Sequence, residues 1–139
     1  MPAKSAIMLT VESRHSGETY VQKVEGTLYR KENAVYLRYA ETDEAMGNTM
    51  TTVRIDPQEL KIIRHGEVES DQTFAVGRRL PGNYRTPFVS MQLETHTQLI
   101  HADVTGATGT LQWNYDLYFD GDFSGDYKIK MSYQEVQSE

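Results

Sequence analysis

The stretch LQWNYDLYF, Leu111 to Phe119, places Leu111, Trp113, Tyr115, Leu117 and Phe119 in one phase and Gln112, Asn114, Asp116 and Tyr118 in the other. A period of two fits a strand, whose successive side chains point to opposite faces, and conflicts with a helix, whose faces repeat every 3.6 residues. The last strand repeats the pattern, with Tyr127, Ile129, Met131 and Tyr133 inward and Lys128, Lys130, Ser132 and Gln134 outward. DGDFSG, Asp120 to Gly125, joins the two as a hairpin, because Asp and Gly supply the backbone conformations a tight turn needs.

The same period recurs toward the N-terminus. Ile7, Leu9 and Val11 share a phase, and HSGE, His15 to Glu18, turns the chain. Tyr20, Val24 and Leu28 form a second strand, in which Gly26 marks a bulge or bend. After the turn KEN, Val35, Leu37 and Tyr39 alternate, and Thr42 to Asn48 forms a loop. Val53 and Ile55 make a fourth strand. DPQE, Asp56 to Glu59, reads as one helical turn capped by Asp56. Leu60 and Ile62 lead to a tight turn at His65-Gly66. Val68, Ser70, Gln72, Phe74 and Val76 then face opposite to Glu67, Glu69, Asp71 and Thr73. RRLPGNYRTP, Arg78 to Pro87, reads as an irregular loop or broken edge strand because of its two prolines. Val89, Met91 and Leu93 start a strand that runs past Thr97 to the turn at TGATG. The result is an all-β, antiparallel meander of about eight to ten strands. A meander of that length removes its sticky edges by closing into a lipocalin-like barrel.

Composition narrows the partners. The 139 residues are one domain by length and contain no cysteine, which fits a reducing cytoplasm. No apolar run suggests a leader or a membrane span. A net charge of -6 argues against general affinity for nucleic acid, although a local basic patch is compatible with it. A homodimer stays open.

The chain resembles the YwiB-like domain-of-unknown-function proteins of Gram-positive bacteria. The resemblance rests on VYLRYAE (Val35 to Glu41), Arg64-His65-Gly66 followed by QTFAVG, NYRTPF, SMQLETHT, LQWNYDLYF and YKIKMSYQ, in that order. It implies a calycin-like barrel, presumed cytosolic, with no established activity. GRRLPGNYRTP departs most from the pattern through its arginine and proline content.

Four of the eight arginines, Arg64, Arg78, Arg79 and Arg85, lie between Ile62 and Phe88. Arg64 continues the inward phase of Leu60 and Ile62, and a buried guanidinium requires an anionic partner. Glu41 continues the inward phase of Val35, Leu37 and Tyr39, so an Arg64–Glu41 pair near one barrel end is the structural expectation. The functional alternative has Arg64 holding a carboxylate or phosphate, with Gln72 beside it. Arg78, Arg79 and Arg85 are either solvated or a basic rim that steers an anion inward. Tyr84 either covers the opening or plugs the core. Tyr115 and Trp113 are expected in the core, with a ligand platform as the alternative. The candidate ligand residues are therefore Glu41, Arg64, Gln72, Tyr84, Arg85 and Tyr115.

Other motifs carry less. Asp120, Asp122, Ser124 and Gly125 mimic the start of an EF-hand loop, but its twelfth position is Met131 instead of glutamate. His96 and His101 are expected on opposite strand faces, so no metal site is assigned. No nucleophile elbow or phosphate loop appears, and no cofactor or catalytic residue is assigned. A binding module for a small anionic or amphiphilic ligand leads. A filled structural or protein-interaction barrel comes second, and a calycin-type isomerase or hydrolase third.

Overall fold

The computed structural model describes residues 3–136. Ten strands follow one another: β1 (Ala3–His15), β2 (Glu18–Lys31), β3 (Ala34–Ala40), β4 (Thr49–Ile55), β5 (Leu60–Gly66), β6 (Glu69–Phe74), β7 (Arg79–Arg85), β8 (Ser90–Asp103), β9 (Thr108–Phe119) and β10 (Asp122–Glu135). Each pairs with its sequence neighbours, and β1 pairs with β10, so the meander closes into a barrel. The closing ladder runs from Ile7 opposite Glu135 to His15 opposite Tyr127, all antiparallel. The long strands β8, β9, β10, β1 and β2 are contiguous and form one wall, and the shorter β3 to β7 form the other.

The inward phases read from the sequence fill the interior. Leu37, Val53, Leu60 and Phe74 have no measurable exposure, and Leu111 and Trp113 expose 1%. Each such side chain contributes about 1.5–3 kcal/mol through burial. An aromatic column crosses the core. His15 stacks on Tyr127 at 4.1 Å, Tyr127 on Tyr115 at 5.3 Å, and Phe74 leans on both Tyr115 (4.7 Å) and Trp113 (5.8 Å). Ile129 and Tyr127 are only half-buried against this cluster. The barrel end that carries the β8–β9 loop is tied shut. Arg30 Nη2 donates to the carbonyls of Val104 (2.9 Å) and Gly106 (3.3 Å), and Tyr133 OH donates to Gly106 O at 2.9 Å.

Several local expectations are corrected. Gly26 is not a bulge: its ladders to β1 and β3 run through without a shift. The residue is small because a Cβ there would stand 2.7 Å from Arg38 O and 3.3 Å from Tyr39 Cβ. DPQE forms no helical turn. Asp56 Oδ1 accepts from the N–H groups of Gln58 and Glu59, both at 2.8 Å, in a hairpin whose following strand begins at Leu60. The single 3-10 turn of the described residues lies at Glu44–Met46, capped by Asp43, inside the expected loop. The β5–β6 turn sits at Glu67-Val68 instead of His65-Gly66. Val76 leaves the inward phase and is 57% exposed.

The largest correction concerns RRLPGNYRTP, most of which is the regular strand β7. Proline is tolerated because β6 pairs with β7 only over Glu69–Asp71 against Asn83–Arg85. Pro81 lies beyond that ladder and is paired on the β8 side only, an edge-like position where a missing N–H costs little.

Candidate ligand-binding mouth

Glu41 ends the inward phase of β3, and Arg64 lies near the end of β5, so both reach the barrel end opposite the Arg30 closure. The guanidinium Nε of Arg64 is 3.8 Å from Glu41 Oε2, with the two side chains 22% and 5% exposed. The charges are paired, but no hydrogen bond joins these atoms, and Arg64 Nε is buried without a partner among the described residues. Glu41 itself is satisfied. Thr51 Oγ1 donates to Oε2 at 2.5 Å and Gln22 Nε2 donates to Oε1 at 3.4 Å, while Thr42 Oγ1 holds Gln22 Oε1 at 2.7 Å.

Cross-strand register explains the gathering. One inward rung runs from Tyr39 (β3) to Thr51 (β4), Arg64 (β5), Ser70 (β6), Tyr84 (β7) and Met91 (β8). Tyr84 is half-buried against the core on this rung, in keeping with the plugging alternative. Ser70 is 5% exposed and its hydroxyl also lacks a partner. Two buried polar groups on adjacent strands, Arg64 Nε and Ser70 Oγ, thus stand without hydrogen bonds. Such groups cost free energy while they are unpaired.

Burial, followed by the negative charge of Glu41, pushes the Tyr39 hydroxyl well above its ordinary pKa. Burial does the same to Tyr115, while the charge of Arg64 pulls the opposite way. Tyr115 therefore lies in the core, close enough to Arg64 to feel it. Above the pair opens a pocket of about 480 Å³, lined by Val11, Tyr20, Val21, Met46, Glu41 and Arg64 among others. Its lining mixes the apolar Val11, Val21 and Met46 with the polar Gln22, Glu41, Asp43 and Arg64.

The remaining candidates are distributed differently. Gln72 is 8% exposed and inward, one step further into the barrel than Ser70, and does not line this pocket. Arg85 faces outward opposite Glu69 at the same barrel end. The Glu69 carboxyl is held below its usual range by the Gly66 N–H, then by His65, with Arg85 contributing. Arg78 precedes β7 and Arg79 begins it, at the other end of the barrel. Arg79 is fixed on the outer face by Glu94 at 2.9 Å and by the Tyr118 ring at 3.8 Å. No basic rim made of all three surrounds the Arg64 mouth.

His96 and His101 lie on the same outer face, contrary to expectation, because a bulge between Thr97 and Leu99 reverses the phase of β8. DGDFSG is a turn at Asp120-Gly121, both left-handed, followed by a bulge between Phe123 and Gly125. Sequence reasoning missed Thr51 and Ser70. Thr51 carried a signal, a hydroxyl in the inward phase of Val53 and Ile55. Ser70 shares the phase of Val68 and Phe74, but a serine in that phase carries no signal of its own.

Over 133 residues the chain is 25% identical to the "Uncharacterized beta-barrel protein YwiB" of Bacillus subtilis (strain 168), covering 96% of this chain and 93% of that protein. It superposes on the crystal structure of the Bacillus subtilis ywiB protein with a TM-score of 0.84 at 26% identity, over 96% of this chain and 94% of that one. The family model for a domain of unknown function, DUF1934, matches residues 6–131, and the chain belongs to that family.

Proposed function

We propose that the barrel binds a small amphiphilic molecule at the Glu41–Arg64 mouth. The observation that carries this reading is the Arg64 side chain, 22% exposed beside Glu41 in the lining of a pocket of about 480 Å³. A ligand oxygen would accept from the exposed part of the Arg64 guanidinium, while an apolar body would cover Val11, Tyr20, Val21 and Met46. Glu41 and Asp43 line the same pocket and outweigh the single charge of Arg64. The charge balance therefore favours a neutral or zwitterionic head over a strongly anionic one. A cytoplasmic setting suits a chain without cysteine.

Native mass spectrometry of gently purified protein tests the reading. The wild-type chain should carry a small adduct or acquire one from a zwitterionic detergent at low concentration, and Arg64→Ala should lose it. Equal retention by the variant, or no adduct under any condition, would overturn the proposal.

A second reading is a filled barrel that recognises a protein. It is favoured by Phe88, 93% exposed, and Val89, 45% exposed, on the β7–β8 turn. Exposed apolar residues at a loop tip are contact candidates when they occur together.

A further inference from the structure

The outer surface of the barrel is divided by charge. Along β2 to β5 the outward positions include Lys23, Lys31, Arg38, Arg54 and Lys61 against Glu25, with Glu18 exposed at the start of β2 and Glu32, Asp56 and Glu59 on the connecting turns. Along β6 to β9 the outward positions carry Glu69, Asp71, Glu94, Asp103 and Asp116 against Arg79 and Arg85. The net charge of -6 thus conceals a strip of mainly basic outward strand positions, bordered by the acids of its turns.

Within that strip stands an aromatic pair. Tyr29 and Tyr36, opposite each other on β2 and β3, stack with ring centroids 4.8 Å apart and planes 2° from parallel. Arg54, the β4 neighbour of Tyr36, donates from Nε to the Tyr36 hydroxyl at 3.3 Å. Asp56 neutralises Arg54 at 2.9 Å, so Arg54 holds the ring in place and adds little field. Lys23, Lys31, Arg38 and Lys61 are in no ion pair among the described residues.

We propose that this β2–β5 face binds single-stranded nucleic acid. Phosphates would follow Lys23, Lys31, Arg38 and Lys61, and a base would extend the Tyr29–Tyr36 stack. Any base presents a π-face, so such a platform is tolerant of sequence. The acidic β6–β9 face repels the same polyanion and confines it to one side. This departs from the expectation drawn from net charge, which averages over the whole surface. It is independent of the proposed mouth ligand, which sits inside the barrel end.

Fluorescence anisotropy with labelled single-stranded RNA, single-stranded DNA and a duplex tests it. Saturable binding to a single strand is expected, weaker for the duplex, and the RNA and DNA arms identify the natural polymer. With four phosphate contacts, raising salt from about 50 to about 200 mM should weaken binding about 50-fold. Arg38→Glu with Lys61→Glu should cost about tenfold or more, and Tyr29→Ala severalfold. Lys128→Glu with Lys130→Glu changes net charge equally on β10 and should cost less than about twofold. Circular dichroism and the melting transition establish that each variant is folded. No binding at the lower salt, or equal losses from both charge reversals, would overturn the proposal. A salt-sensitive dimer without nucleic acid, abolished by Arg38→Glu with Lys61→Glu, would assign the basic face to the acidic face of a second copy and also overturn it.

Discussion

Arg64 and Glu41 form an ion pair whose nearest atoms, Nε and Oε2, are 3.8 Å apart without a hydrogen bond. The carboxylate is satisfied by Thr51 and Gln22, whereas the guanidinium Nε is not. The two partners are therefore not equivalent.

Removing Glu41 should cost more than removing Arg64. Glu41→Ala strands a partly buried cation and deprives Thr51 of its acceptor, at roughly 2–3 kcal/mol, less than for a fully buried pair because Arg64 reaches solvent. Arg64→Ala leaves a carboxylate with two donors and should cost about 1–2 kcal/mol. The double variant should recover about 1 kcal/mol relative to the sum. Urea unfolding of the four proteins measures this. Strict additivity would show that the pair is energetically silent.

Gly82 and Gly77 separate two kinds of glycine requirement. A Cβ at Gly82 would stand 2.4 Å from Asp71 O and 3.0 Å from Leu93 Cδ1, so Gly82→Ala should cost about 2–3 kcal/mol by overpacking at the short β6–β7 ladder. Gly77 has open space but a φ of +78°, so Gly77→Ala should cost about 1–2 kcal/mol through backbone strain alone. Thermal melts rank them, and a tolerated Gly82→Ala would mean that the ladder yields more easily than its packing implies.

Trp113 is the chain's single tryptophan, 1% exposed, with an indole N–H that finds no partner among the described residues. Its emission should be blue-shifted in the native state and move red in one transition that coincides with circular dichroism. Trp113→Phe removes the unpartnered N–H along with some volume, so it should cost about 1 kcal/mol, against about 3–5 for Trp113→Ala. A cost for phenylalanine as large as for alanine would show that the N–H is satisfied in solution.

Alkaline stability should follow Tyr39 and Tyr115. Both hydroxyls are raised by burial, so the folded state keeps their protons where the unfolded chain loses them. The unfolded state then binds fewer protons, and stability falls as pH rises above about 10, the ordinary tyrosine value. These two groups alone give a slope of roughly 2.7 kcal/mol per pH unit, and burial raises Tyr127 and Tyr133 in the same direction. Tyr39→Phe should flatten that slope in denaturant melts between pH 9 and pH 11, a range set by the same reference value of about 10. Glu69 acts in the opposite direction: its depressed carboxyl supplies stability above its unfolded pKa that disappears as pH falls through the folded value.

Period-two alternation was enough to locate nine of the ten strands, most of their inward faces and the meander, because side-chain alternation is a local property of extended chain. It placed Glu41 and Arg64 on the inside at one barrel end, since a strand's phase continues until something breaks it. Family-level resemblance was legible too, through ordered motifs such as VYLRYAE and LQWNYDLYF. Three kinds of feature depended on tertiary structure. The short β6–β7 ladder turned a proline-containing stretch into a strand, because only the neighbour's length decides whether an absent N–H matters. An extra residue between Thr97 and Leu99 brought two histidines to one face, since a bulge is defined by the partner strand it fails to match. Register joined Thr51, Arg64, Ser70 and Tyr84 into one rung and separated the mainly basic outer strip from the acidic one. Those neighbours lie on different strands, and barrel closure alone fixes which of them stand side by side.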